Sequence, residues 1–135
     1  MLLDSNIIIY AAQPEHADLR TFIAEQAPDV SAISVVEVLG YHKLTDEART
    51  HFEEFFAVAR VLPVSSSVIT WAVHLRQQRR MTLGDALIAG TALTHDLTLV
   101  TRNTDDFRWV PDLRLNNPFA PTQGADSPIP NLSEH

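Results

Sequence analysis

Short apolar runs alternate with longer stretches of helical periodicity along most of this chain of 135 residues. The apolar runs have the length and residue types of buried strands, and they lie at residues 2–3, 30–33, 61–64, 97–101 and 113–115. The stretches between them repeat their apolar side chains at helical spacing, most clearly at residues 17–27, 34–44, 67–80 and 83–95. Strands that alternate with helices predict an α/β domain around a mostly parallel sheet.

Acidic residues stand next to several of these apolar segments. Asp4 follows the first strand, Glu37 and Asp85 lie in the first turns of two helices, and Asp105 and Asp106 follow the fourth strand. All of these positions are expected at the carboxyl edge of the sheet, where open α/β sheets bind ligands. Carboxylates gathered in one place repel one another, so a fold that converges them needs a cation. The cation that suits all-oxygen ligands is Mg²⁺ or Mn²⁺.

Each acid also has a purely structural explanation. Ser34-x-x-Glu37 and Thr82-x-x-Asp85 match the capping box, in which the acid bonds back to the cap residue. The acids after the fourth strand can cap a short helix. Asp4 is hardest to explain in this way, because a carboxylate directly after a buried strand is half-buried and costs stability without a partner.

Several other kinds of site are disfavoured. Cysteine is absent, and the six histidines show no metal-ligand spacing, so a zinc site is not expected. The four glycines are scattered, which argues against a glycine-rich phosphate loop. No nucleophile elbow accompanies the serines. We expect a cytoplasmic protein, since the start lacks a signal-peptide pattern and every apolar run is short of a membrane span.

The formal net charge of −7 argues against a protein that holds nucleic acid by its overall charge. This charge is compatible with an enzyme that contacts a few phosphates through bound metal. Arg76, Arg79 and Arg80 form the only basic cluster. They fit a solvated helix end, where the helix dipole favours cations, and they also fit a phosphate contact or a partner-binding edge.

Four segments in order resemble the PIN domain, and more narrowly the VapC toxins of bacterial VapBC toxin–antitoxin modules. The segments are Leu-Leu-Asp-Ser-Asn at 2–6, Ser-Val-Val-Glu-Val at 34–38, Gly-Asp-Ala-Leu-Ile-Ala at 84–89, and Leu-Val-Thr-Arg-Asn-Thr-Asp-Asp-Phe at 99–107. The resemblance covers residues 1–117 and implies a three-layer α/β/α domain with a mostly parallel central sheet. Residues 118–135 lie outside it, and their proline content predicts an extended or disordered tail.

The resemblance also implies roles for individual residues. Three carboxylates match metal-binding or catalytic positions, namely Asp4, Glu37 and Asp85. Many relatives have an aspartate where this chain has Asn103, and Asp106 fits the missing acid best. The metal ligands implied are Asp4, Asp85 and Asp106, and the supporting positions are Ser5, Asn6, Thr101, Asn103 and Asp105. Arg102 is close to the implied site and is predicted to contact substrate.

The function implied is a Mg²⁺-dependent endoribonuclease, with Mn²⁺ able to substitute, that acts as the toxin of a type II toxin–antitoxin pair. Its implied partners are an RNA substrate, a cognate antitoxin and a second copy of the chain. Phe52, Phe55, Phe56 and Trp71 fit either the core or such an interface. One alternative is a catalytically weak or inactive PIN-like binding module, because Asn103 replaces an acid. An aspartyl-phosphate or receiver domain is a poorer alternative, since Asp4-Ser5-Asn6 lacks its second acid.

Overall fold

The structure is a computed structural model that describes residues 1–119. Within these residues, five strands form one parallel sheet: β1 (Leu2–Leu3), β2 (Asp29–Ser31), β3 (Val61–Leu62), β4 (Leu99–Val100) and β5 (Leu115–Asn116). Their order is β3-β2-β1-β4-β5, so the first strand is central. Residues 120–135, most of the predicted tail at 118–135, lie outside the described residues.

Helices cover both faces of this sheet. They are α1 (Ser5–Ala11), α2 (Ala17–Gln26), α3 (Ala32–Leu39), α4 (Asp46–Val58), α5 (Ser66–Gln78), α6 (Leu83–His95) and α7 (Thr104–Phe107). No helix within residues 1–119 combines the length and the hydropathy that a membrane crossing requires.

Neighbouring residues of each short strand point to opposite faces, because side chains alternate along a strand. Leu3 packs in a core with residues of α1 to α4, whereas Leu2 packs in a second core with residues of α5 to α7. The sheet therefore separates two buried cores, and the α/β/α prediction is confirmed.

A serine cap begins α3, which carries Glu37, and a threonine cap begins α6, which carries Asp85. Thr82 accepts a hydrogen bond from the Asp85 amide at 3.1 Å, so the predicted cap at this position is confirmed. The cap of α3 is Ser31, whose hydroxyl accepts from the Ile33 amide, and the predicted cap at Ser34 is wrong. Helix α3 begins earlier than its apolar periodicity predicts because β2 is only three residues long.

Ion pairs stabilise the amino edge of the sheet. Arg60 precedes β3 and donates two hydrogen bonds to Asp29 at the start of β2, which lowers the pKa of Asp29. Arg114 precedes β5 and pairs with Asp96 at 2.9 Å. Carboxylates at this edge therefore have cationic partners from the chain itself.

Two of the four aromatic residues considered for core or interface positions are buried. Phe52 and Phe56 of α4 lie in the core on the α1–α4 side, and Phe55 packs against that core. Trp71 on α5 remains partly exposed. The core interpretation is thus confirmed for Phe52 and Phe56.

Candidate active site

Asp4 is a buried carboxylate at the carboxyl end of the central strand, with only 4% of its surface exposed. It precedes α1 but makes no capping hydrogen bond into that helix. Instead, one oxygen, Oδ2, accepts a hydrogen bond from the Thr101 hydroxyl at 2.8 Å, across the β1–β4 pair. Burial raises the pKa of Asp4, although the Thr101 hydroxyl opposes the increase. The side-chain partner of Asp4 therefore lies across the sheet, at the end of β4.

Glu37 lies on α3 and is held by a serine from α1. The Ser5 hydroxyl is 2.6 Å from Glu37 Oε1, and Ser5 Oγ is also hydrogen-bonded to Ser34 Oγ at 2.8 Å. Both serines are buried, whereas Glu37 is exposed. Ser34 thus supports the position of Glu37 through Ser5 rather than through the predicted capping box.

Gly84 allows α6 to approach this carboxylate closely. A Cβ added at Gly84 would overlap Oε2 of Glu37. The glycine directly before Asp85 therefore brings α6 against the side chain that α3 supplies. Sequence reasoning did not assign a role to Gly84.

Asp85 lies in the first turn of α6 and is half-buried. Burial is the main cause that raises its pKa to about 6, and the negative charges of Asp4, Asp106 and Glu37 add to the effect. The Thr82 hydroxyl works in the opposite direction. The charges that act on Asp85 come from three other segments of the chain, so the fold brings the four predicted acids into one electrostatic group.

Asp106, rather than Asp105, belongs to this group. The charge of Asp106 raises the pKa of both Asp4 and Asp85. Asp105 is exposed and pairs with Arg108 at 2.9 Å.

Asn103 begins α7, and its backbone amide donates to the Thr101 hydroxyl at 3.0 Å, which connects α7 to the residue that holds Asp4. Asn6 lies half-buried in the first turn of α1.

The carboxyl edge of the sheet differs from the amino edge in charge balance. Within residues 1–119, none of Asp4, Glu37, Asp85 and Asp106 forms a salt bridge with an arginine or lysine. Burial is the main cause of the raised pKa values of Asp4 and Asp85, and the neighbouring negative charges add to it. A bound cation would remove this repulsion.

The donor set suits a divalent cation such as Mg²⁺ or Mn²⁺, because every available donor is an oxygen. In the described part of the chain, however, no three acidic or histidine side chains are close enough together to hold one ion. The residues therefore fit the ion in the chemistry of their donor atoms and in their electrostatic coupling, and not as an assembled set of three ligands.

The family model of the PIN domain matches residues 1–113. The chain belongs to the PIN domain family. It is 26% identical over 129 residues to Ribonuclease VapC2 of Rickettsia felis, a match that covers 86% of this chain and 96% of that protein. The prediction that the chain resembles VapC proteins is therefore confirmed.

Solved structures of toxin–antitoxin complexes share this PIN domain fold. A toxin–antitoxin complex from Klebsiella pneumoniae contains a chain that is 26% identical, with a TM-score of 0.71, and the match covers 89% of this chain and 98% of that one. The fold also matches VapBC2 of Rickettsia felis bound to a DNA fragment from its promoter. That match has 23% identity and a TM-score of 0.72 and covers 86% and 96% of the two chains.

Arg102 occupies a different environment from the one expected of a substrate contact. In this PIN domain its exposed fraction is 8%, and its guanidinium lies over the rings of Tyr10 and Phe119, at 5.1 and 4.5 Å from their centroids. Such stacking stabilises the segment after β4 against α1. The structure thus gives Arg102 a packing role, and its contact with substrate stays a prediction.

Proposed function

We propose that this PIN domain is a metal-dependent endoribonuclease that hydrolyses RNA phosphodiester bonds and acts as the toxin of a toxin–antitoxin pair. The observation that carries the proposal is the group of four carboxylates at the carboxyl edge of the sheet. Burial and the charges of Glu37 and Asp106 raise the pKa of Asp4 and Asp85, and none of the four acids has a salt-bridge partner within residues 1–119. The name of the VapC2 relative supports the choice of RNA as substrate.

In this proposal Asp4, Asp85 and Asp106 hold Mg²⁺, or Mn²⁺ in its place, and all four acids serve catalysis. The bound ion would lower the pKa of a water molecule and stabilise charge on the leaving oxygen. Thr101 keeps Asp4 in position through its hydroxyl. Glu37 Oε1 is bound by Ser5, which leaves Oε2 to accept the proton of the attacking water.

The direct test is incubation of the purified full chain with total RNA, with Mg²⁺ or Mn²⁺ and with a chelator. We expect cleavage with either ion and none with the chelator. RNA that stays intact with both ions would contradict the nuclease proposal. Mapping of the product ends would then identify the target RNA.

A catalytically inactive PIN-like binding module is the second candidate. The observation in its favour is the separation of the acids, since no three of them in residues 1–119 converge on one ion position. Titration calorimetry with Mn²⁺ separates the two candidates. A nuclease should bind Mn²⁺ at a saturable site that Asp4→Asn weakens, whereas a binding module should show no such site.

We also propose that the chain assembles with a cognate antitoxin and forms a homodimer. The solved relatives include toxin–antitoxin complexes, which supports the first partner. Exposed apolar side chains on α5, including Ile69, Trp71 and Val73, offer a surface for a protein partner. Co-purification with the product of a neighbouring gene, followed by measurement of the mass in solution, tests both proposals. A monomer that binds no neighbouring gene product would contradict both.

Thr101→Val should weaken Mn²⁺ binding by about tenfold to a hundredfold, the usual effect of losing a group that orients a metal ligand. Valine keeps the shape of the side chain but removes the hydroxyl that donates to Asp4. Titration calorimetry measures the change, and Thr101→Ser should restore binding because it restores the hydroxyl. Equal Mn²⁺ affinity in the valine and serine variants would contradict this role.

Gly84→Ala should lower RNA cleavage by about tenfold or more without lowering thermal stability. The new Cβ displaces Glu37 Oε2, which is the end of a flexible side chain, and alanine favours a helix over glycine by about 1 kcal/mol. The measurements are the cleavage rate and the unfolding midpoint of the same preparation.

Gly90→Ala is the matched control for this prediction. Its Cβ would lie 2.8 Å from the Val68 carbonyl oxygen in α5, where the backbone cannot give way easily. We therefore expect a lower unfolding midpoint with unchanged cleavage per folded molecule. If cleavage in both variants fell only as much as the folded fraction fell, the role of Gly84 would be contradicted.

A further inference from the structure

A cleft of about 630 Å³ adjoins the carboxylates and is lined by three arginines. The end of α5 and the turn after it contribute Arg76, Arg79 and Arg80, whereas α6 contributes Asp85 and α7 contributes Asp105 and Asp106. One continuous cavity thus combines guanidinium groups with two of the carboxylates assigned to the metal.

These arginines differ from most others in the described part of the chain because they form no salt bridge there. Arg49, Arg60, Arg108 and Arg114 each form a salt bridge with a carboxylate. Within residues 1–119, the three arginines of the cleft form none. In a chain of net charge −7, unpaired cations that share one cleft indicate a ligand that brings its own negative charge.

Two of the three side chains are oriented by contacts with the protein. Arg76 Nε donates to the Met81 carbonyl oxygen at 3.3 Å. The Arg79 guanidinium stacks over the Trp109 ring, 5.2 Å from its centroid, and the Trp109 indole donates to the Asp106 carbonyl oxygen at 3.1 Å. Arg79 is therefore connected through Trp109 to α7, the short helix that carries Asp106.

We propose that Arg76, Arg79 and Arg80 bind the RNA phosphates that flank the cleaved bond, and that Trp109 positions Arg79 for this contact. This inference rests on the proposed function and names the part of the site that holds the rest of the substrate. Guanidinium groups match phosphate oxygens with paired hydrogen bonds. A polynucleotide can place one phosphate at the carboxylates through the metal and its neighbours at the arginines.

An acidic peptide is a weaker match for the same cleft. Its carboxylates would gain the arginines but would also meet the negative charges of Asp85 and Asp106. A phosphodiester chain encounters the same acids through a divalent cation, which reverses the sign of the interaction. The combination of both charges in one cavity therefore favours RNA.

The test is fluorescence anisotropy of a labelled single-stranded RNA at several salt concentrations in the presence of Mg²⁺. All proteins carry Glu37→Gln, which removes the proposed proton acceptor but keeps the proposed metal ligands, so that the RNA remains intact. Arg79→Gln combined with Arg80→Gln should weaken binding by about tenfold or more at about 50 mM salt. The slope of log affinity against log salt should fall in magnitude by about 1.4, because each phosphate contact contributes about 0.7 on single strands.

The matched control combines Lys43→Gln with Arg49→Gln, which removes the same charge from exposed residues outside the cleft. We expect its salt slope to equal that of the parent protein. Equal changes in the two double variants, or an unchanged slope in the cleft variant, would overturn the inference. Tighter binding of an acidic peptide than of RNA would also overturn it.

Trp109 has its own test. Trp109→Leu should reduce the slope of log affinity against log salt by about 0.7, the value of one phosphate contact, because Arg79 loses its stacking partner. Trp109→Phe should retain the slope because it keeps an aromatic face. Equal slopes in the two variants would refute the positioning role. This inference fails if RNA binding does not depend on the arginines. The nuclease proposal fails on a different observation, namely that the chain with Glu37 in place leaves RNA intact.

Discussion

Asp4→Asn should reduce metal-dependent RNA cleavage by about a thousandfold, on the scale of losing one group that stabilises the transition state. Asparagine has nearly the same shape but carries no charge, so the metal loses its most buried ligand. The fold should be preserved, and in the absence of metal it should become more stable. The reason is that burial and the charges of Glu37 and Asp106 already penalise the ionised form of Asp4.

Cleavage rates and unfolding midpoints, each measured with and without Mn²⁺, check both parts of this prediction. Asp46→Asn is the control, since it removes one carboxylate from the exposed start of α4. We expect the control to retain full cleavage. Full cleavage by Asp4→Asn would rule out the assigned site, whereas loss of fold would show that Asp4 is structural.

Without metal, the free energy of unfolding should fall as the pH rises from about 4 to 7, because Asp85 titrates in this range. The folded protein holds the Asp85 proton up to a pKa of about 6, compared with 3.8 in an ordinary aspartate. The folded state therefore binds more protons than the unfolded state, and stability decreases when these protons leave. We expect a loss of about 1–2 kcal/mol, reduced from the full linkage value because Asp85 is only half-buried.

Thermal unfolding in a chelator at several pH values measures this effect, and Asp85→Asn should flatten the dependence. A divalent ion relieves the repulsion between the carboxylates, so Mn²⁺ should raise the unfolding midpoint more at about pH 7.5 than at about pH 5. A midpoint that rises with pH in the same way in both proteins would contradict the electrostatic coupling of the acids.

Much of the fold was predictable because its signals are local. Apolar strands, helical periodicity and the Thr82 cap identify an α/β domain from neighbouring residues alone. The start of α3 was not predictable in the same way. Ser31 and Ser34 are both suitable caps, and the choice between them depends on where β2 ends against its neighbours in the sheet.

Part of the candidate site was likewise predictable from local sequence, and part was not. Its acids were predictable because they follow elements that end at the same edge of a parallel sheet. The packing of Arg102 between Tyr10 and Phe119 was not, because it depends on contacts between residues far apart in sequence. Gly84 and Trp109 were missed for the same reason. A glycine beside an acid and a tryptophan after a short helix carry no signal until α3, α5 and α7 are placed.

The central position of β1 determines when the carboxylate group can assemble during synthesis of the chain. The first strand lies between β2 and β4, although β4 is encoded almost a hundred residues later. Until Leu99–Val100 leaves the ribosome, one side of β1 has no partner and Asp4 has no Thr101. At about 5–20 residues per second, this interval lasts several seconds. A nascent chain that ends before residue 99 therefore lacks the strand partner and the hydroxyl that hold Asp4 in place.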